Sequence, residues 1–287
     1  MIRPVRAVTL PALLAAASLL CHAIPAAADA PDGSHAAAGA PTYADIADLA
    51  DSAQQVLRAE VRKLVPVDAE RAPGLKPGWG RFYVEAKTEA LIFGSGVAGD
   101  KLRYLVDLKL DAKGKPPVLR KKGVLLFARG GVGRPGEIQL TAPDAQLLWD
   151  PAVEQRTRAI LTELHAEAAP PRIKGVREAI YVPGNLAGAG ETQLFLATED
   201  NSAAAITLTR LGGGAPPQWD VSFSELATGD GKPPERDTLA WYRLACFLPQ
   251  RLPEGANVSG GAAERYQADV DYRHVLADLG ACDRRRK

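Results

Sequence analysis

Cysteine, histidine, methionine and aromatic residues are all scarce in this chain, with 3 Cys, 4 His, 1 Met and 6% aromatics in 287 residues. The shortage excludes several chemistries. Zinc needs several N or S ligands, and no Cys or His stands at metal spacing beside a cysteine. The two-histidine spacing of metalloproteases and paired-cysteine redox spacing are both missing. Neither sign of charge dominates, with 35 basic against 34 acidic residues, so nothing recruits nucleic acid or an anionic membrane electrostatically. Beyond the N-terminal region no run approaches the roughly 20 apolar residues that cross a bilayer. The sequence therefore assigns no catalytic, metal or cofactor-binding residues.

What is present begins with an export signal. Arg3 and Arg6 precede an apolar run from Ala7 to Leu20, and Pro25-Ala26-Ala27-Ala28 follows. These are the three parts of a secretory signal peptide over residues 1 to 28, with cleavage near Ala28. Lipidation at Cys21 fits less well, because Leu20 stands where a small residue is needed. Residues 29 to 41 read as a flexible Ala/Gly-rich lead-in. Loss of Arg3 and Arg6 takes the basic count from 35 to 33 against 34 acids, a mature charge of −1. Cleavage also removes Cys21 and leaves Cys246 and Cys282 as an even pair. In an oxidising periplasmic or extracellular setting they are expected to form a disulfide, worth roughly 3 to 4 kcal/mol by the chain-entropy estimate.

The stretch from Arg81 to Arg129 organises the first half. Phe82, Val84 and Ala86 alternate with Arg81, Tyr83 and Glu85, and Leu102, Tyr104 and Val106 alternate with Arg103, Leu105 and Asp107. A period of two with one wet face predicts antiparallel strands over 81–93 and 102–110. Val118 to Arg129 holds the continuous apolar block Val124-Leu125-Leu126-Phe127, which predicts a more deeply buried strand, partnered by Glu137 to Thr141. Val56 to Val65 supplies a further strand, preceded by a helix over 42–55 with Thr42 and Asp45 as a capping-box-like start. Asp150-Pro151 opens the next helix, and Pro170-Pro171 ends it.

The second half reads as strands over 176–182, 191–198, 203–211 and 218–225, followed by helices over 238–248 and 262–279. The division is residues 42 to 169 and 170 to 287. Arg284 to Lys287 read as a solvated basic end, and the sequon Asn257-Val258-Ser259 as a surface loop.

Candidate chemistry is thin. Gly131 to Gly136 matches a dinucleotide fingerprint in form, but Pro135 interrupts it and a strand follows where a helix is required. Gly229-Asp230-Gly231-Lys232 likewise reads as a turn ahead of Pro233 and Pro234. Gly94-Ser95-Gly96 is a partial nucleophile elbow with only His35, His165 and His274 as partners. Carboxylate chemistry needs only two acids brought close in space, and Glu85, Glu89 and Asp107 share one wet face, as do Glu191, Asp220 and Glu225 on the second sheet. Trp79, Trp149, Trp219 and Trp241 are candidates for a ligand surface or for core anchors.

The five strands of the first half resemble an OB-like barrel in count and in their long second strand. The expected class is α+β, with a small antiparallel OB-like β-barrel followed by an antiparallel sheet with C-terminal helices. Glu191-Thr192-Gln193-Leu194-Phe195-Leu196 and Thr238 to Cys246 are similar to uncharacterised secreted bacterial proteins without an assigned activity. That resemblance implies export and this architecture and transfers no functional residues. OB-like barrels bind oligonucleotides, oligosaccharides or proteins on one face. Export and near-neutral charge disfavour nucleic acid. The expected function is a non-catalytic binding or envelope-associated role, with another envelope protein or a glycan as partner. The alternative is a secreted hydrolase using a carboxylate pair.

Overall fold

The computed structural model describes residues 40–95, 99–129, 136–224 and 231–286. The expected signal peptide, Cys21, His35, Gly96, most of the Gly131 to Gly136 stretch, Glu225 and Gly229-Asp230 lie outside the described residues.

Thr42 caps helix α1 (Tyr43–Asp51) through a complete capping box with Asp45. The helix is shorter than its expected span because the alternation of Val56, Leu57, Ala59 and Val61 already belongs to strand β1 (Gln55–Pro66). Strands β2 (Trp79–Phe93), β3 (Lys101–Lys109), β4 (Gly123–Arg129), β5 (Gln139–Leu140) and β6 (Gln146–Leu148) complete the first sheet. Its order is β3-β2-β1-β4-β5, with β6 also on β4. Three register shifts between β1 and β2 add the local twist that curls a sheet. A parallel bridge between Arg103 and Glu137 brings the far edges together, so the sheet nearly closes into a barrel. Phe82, Val84, Leu102, Tyr104 and Val106 fill it, and every residue from Val124 to Ala128 is buried.

Two expectations about this sheet need correction. β4 does not begin at Val118, which is 83% exposed. A turn at Lys121, with φ at 63°, intervenes, and it is pinned by the Lys121 N–H on the Val61 carbonyl. Strand β6 was not expected, since three residues carry too little periodicity to be read.

Asp150 caps α2 (Pro151–Leu164), with Pro151 at its first position. The second sheet is an antiparallel meander, β7 (Ile173–Pro183), β8 (Ala189–Thr198), β9 (Ala205–Leu211) and β10 (Gln218–Ser222), in the order β10-β9-β8-β7. Helices α3 (Leu239–Ala245) and α4 (Ala262–Leu279) follow, and α4 packs across β7 and β8. The expected disulfide is present, with the Cys246 and Cys282 sulfurs 2.07 Å apart. One buried cluster runs from Tyr43 through the barrel to Leu279. Trp241 and Tyr242 on α3 are among its largest fully buried side chains, each worth on the order of 2 to 3 kcal/mol in burial. Among the described residues no helix is long and apolar enough to cross a membrane.

The basic end is not a loose solvated tail. Arg284 pairs with Asp48 at 2.5 Å, Arg286 pairs with Asp144 at 2.9 Å, and the Arg285 and Arg286 backbone N–H groups donate to Asp45 at 2.8 Å. Four arginines and lysines in a row read as repulsive and exposed; what sequence does not show is that α1 and the 141–146 loop present aspartates to receive them.

Candidate functional site

The most distinctive opening in the molecule follows from one proline. β5 and β6 lie along the same edge of β4, pairing with Ala128–Arg129 and with Val124–Leu126 respectively. They would be one strand, but Pro143 has no N–H to give to a ladder. The chain leaves β4 after Thr141, whose N–H bonds to the Phe127 carbonyl, and returns at Ala145, whose carbonyl accepts from Phe127. The excursion swings Pro143 across to β3, where its carbonyl accepts the Asp107 N–H at 2.7 Å.

The barrel wall therefore closes at two points. At one, Arg103 donates its N–H to Gly136 at 2.8 Å and accepts from Ile138 at 3.0 Å; at the other, Asp107 meets Pro143. Gly136 is required at the first closure, because at its φ of 81° a Cβ would stand 2.5 Å from the Lys101 carbonyl. Strand parity aims the Leu105 N–H the same way as those of Arg103 and Asp107, yet it meets no acceptor among the described residues. The gap spans four residues of β3, about 13 Å at 3.3 Å per residue.

Over this gap lies a groove of about 650 Å³, lined by β2, β3 and the 137–143 segment. Its floor is apolar, formed by Tyr83, Leu105, which is 51% exposed, and Ile138. Arg81 and Asp107 form a two-point ion pair at one end, with Nε to Oδ1 at 2.7 Å and Nη2 to Oδ2 at 2.9 Å. That hydrogen bonding raises the Arg81 pKa above its ordinary value. Arg103, Arg129 and Glu137 also line the groove, and among the described residues none of the three has an ion pair or a side-chain hydrogen bond. Beneath it the Tyr104 hydroxyl donates to Gln146 at 2.6 Å, and burial pushes its pKa well above the phenol range.

A second cavity of about 310 Å³ shares Asp107 and Thr141 to Pro143 with the groove and adds Trp79, Asp48, Asp144 and Arg286. Its aspartates are committed. Asp48 takes Arg284 and the Tyr242 hydroxyl, Asp107 takes Arg81, and Asp144 takes Arg286.

The acids singled out in sequence do not converge. Glu85 stands four residues along β2 from Arg81, the residue opposite Asp107, and Glu89 four further, so each step is about 13 Å. A glycosidase pair sits about 5 to 9.5 Å apart. Glu85 lies 3.9 Å from Lys63, and Glu89 lies 3.2 Å from Arg58. On the second sheet Glu191 pairs with Thr209, and Asp220 with Thr207, which leaves the two acids two strands and two residues apart, about 12 Å. Asp220 instead accepts the Gly231 N–H at 3.1 Å, as a turn requires.

The histidines are equally occupied. His165 directs Nδ1 at the Leu161 carbonyl and stacks on Phe93 at 4.2 Å, with no hydrogen bond to Ser95. His274 faces Asp278 on its own helix at 3.4 Å. No group of His, Cys, Asp or Glu among the described residues is arranged to hold a metal ion. Trp219 and Trp241 are core residues. Trp149 lies under Arg58 and donates to Glu154 at 2.6 Å, while Trp79 walls the second cavity. The sequon asparagine is not a free surface amide, since its Nδ2 donates to the Arg265 carbonyl at 2.9 Å.

The groove residues Arg103, Leu105, Arg129 and Ile138 were not singled out as a site from sequence. One signal did stand there: Tyr83 and Leu105 are large apolar residues in the wet rows of β2 and β3, facing each other across the pair. No family model matches the chain, and a comparison with curated proteins finds no relative.

Proposed function

We propose that this protein is a secreted or periplasmic binding module whose ligand lies in the groove between β3 and β5. The observation that carries the reading is the open rung at Leu105, where an N–H and two arginines without partners among the described residues lie beside an apolar floor. A main-chain donor left over at a gap in a ladder can take a ligand's carbonyl, and a concave, mostly apolar surface with a few aimed polar groups is the usual form of a binding site. The signal-peptide features of the sequence and the disulfide support export. Catalysis is not part of this reading, because the acids around the groove and the second cavity are either held by arginines or stand alone.

The test is photo-crosslinking. A benzophenone amino acid is placed at Leu105 and, as a control, at Thr209 on the outer row of the second sheet, and each protein is irradiated with an envelope extract. Adducts at 105 that excess wild-type protein competes away, with none at 209, are expected. Equal adducts at both positions, or adducts at 105 that wild-type protein does not compete away, would contradict the reading.

A further inference from the structure

The chemistry of the groove also distinguishes among ligand classes, an inference that rests on the binding reading above. Consider first what the floor offers. Leu105 and Ile138 are aliphatic, and of the two rings lining the groove Tyr104 is buried with its hydroxyl on Gln146, which leaves Tyr83 as the accessible one among the described residues. A saccharide is held by aromatic faces and a dense set of side-chain hydrogen bonds, whereas this floor suits an aliphatic side chain. The main chain offers something different. The Leu105 N–H is an unpaired donor in the position that a β-ladder would fill, and it lies between the closures at Arg103 and Asp107. A backbone carbonyl of an extended segment lying in the groove is a natural acceptor for this one open rung.

The charges then set the sign. Arg81 and Asp107 neutralise each other, which among the described residues lining the groove leaves Arg103 and Arg129 against Glu137. Arg129 pairs with Gln139 and Arg103 bridges Glu137, and both arginines line the groove beside the 137–139 segment. Two arginines with free donors are suited to carboxylates.

We infer that the groove takes an extended acidic segment of a partner protein. Its carboxylates lie toward Arg103 and Arg129, a main-chain carbonyl accepts from the Leu105 N–H, and an apolar side chain rests on Tyr83, Leu105 and Ile138.

The probes are short capped peptides of alternating aspartate and leucine, their lysine and leucine counterparts, and an oligogalacturonate as an acidic glycan, followed by fluorescence anisotropy. The aspartate peptide should bind the wild-type protein and weaken as salt is raised. It should lose about tenfold or more in affinity in the Arg103→Glu, Arg129→Glu double variant. Leu105→Asp should weaken it as well, and serves alone if the double variant loses its wild-type circular dichroism. The lysine peptide should not bind. The inference is overturned if the aspartate peptide fails to bind, if the lysine peptide binds as well, or if the variants bind unchanged. Oligogalacturonate binding that the variants abolish, without peptide binding, would overturn the peptide partner while keeping the groove as a binding site. Crosslinking at 105 no different from that at 209 would remove both.

Discussion

Asp271 in the second half and Asp107 in the barrel are both buried carboxylates gripped by an arginine, and their surroundings could hardly differ more. Asp271 on α4 has no solvent exposure. It accepts from Thr192 on β8 at 2.5 Å, from Gln267 at 2.9 Å and from Arg210 on β9 through both Nε and Nη2. Four donors converge on one group, and together they pin α4 to the sheet. Asp107 and Arg81 satisfy each other too, but next to them Arg103, Arg129 and the Leu105 N–H are left over. Polar groups that are saturated hold a fold together; those that are left over at an opening are available to something else.

Substitutions should separate the two regions sharply. Asp271→Ala leaves the Arg210 charge and the Thr192 hydroxyl without their acceptor in an apolar setting. The loss should be about 3 to 5 kcal/mol, the range for breaking a buried pair, read as a fall in the urea midpoint. Next in size is the disulfide. Replacing Cys246 and Cys282 by Ser opens a loop with a sequence separation of 36 and should cost about 2 to 4 kcal/mol. It also frees the segment whose Arg284 and Arg286 dock on Asp48 and Asp144, so protease sensitivity should appear first at the C-terminal end.

A third change probes the helical layer between the two regions. Burial works to raise the Asp51 pKa, but hydrogen bonds and charge from Arg243 and Arg172 outweigh it and hold the carboxyl below its ordinary value. A depressed folded pKa contributes stability that is complete above the unfolded value of about 3.9 and is lost as pH falls through the folded one. Asp51→Asn should therefore lower stability at neutral pH by about 1.5 to 3 kcal/mol, the scale of hydrogen bonds to charged groups. It should also make the decline below about pH 4 shallower, as measured by urea titrations across that range. Smallest of all, Arg103→Glu should leave stability within about 0.5 kcal/mol of wild type, because it breaks no described contact. A large loss there would erase the contrast between the two regions.

The barrel was legible because Phe82, Val84 and Ala86 against Arg81, Tyr83 and Glu85 give a clean period of two, and because Val124 to Phe127 reads as an interior strand. The disulfide followed from counting the cysteines that an expected leader would leave behind. The groove was not legible, although its signals were present. Pro143 marks a break in a strand, but only the pairing of Thr141 and Ala145 with the same Phe127 turns that break into a bridge to Asp107. Leu105 in a wet row hints at a surface with a purpose, yet its unpaired N–H depends on how far β5 stands from β3. The docked tail was hidden for a related reason. A run of arginines is sticky only where the fold brings aspartates, and Asp45, Asp48 and Asp144 lie far from it in sequence.

Native-state hydrogen exchange by NMR, read at Leu105 against its neighbours, tests the open rung most directly. Tyr104 and Val106, paired to β2, and Asp107, bonded to Pro143, should exchange slowly, while Leu105 exchanges fast in the free protein and slows when the acidic peptide is added. Leu105 protection equal to that of Asp107 in the free protein would mean that the barrel is closed there, and the groove would lose the donor on which its function is argued.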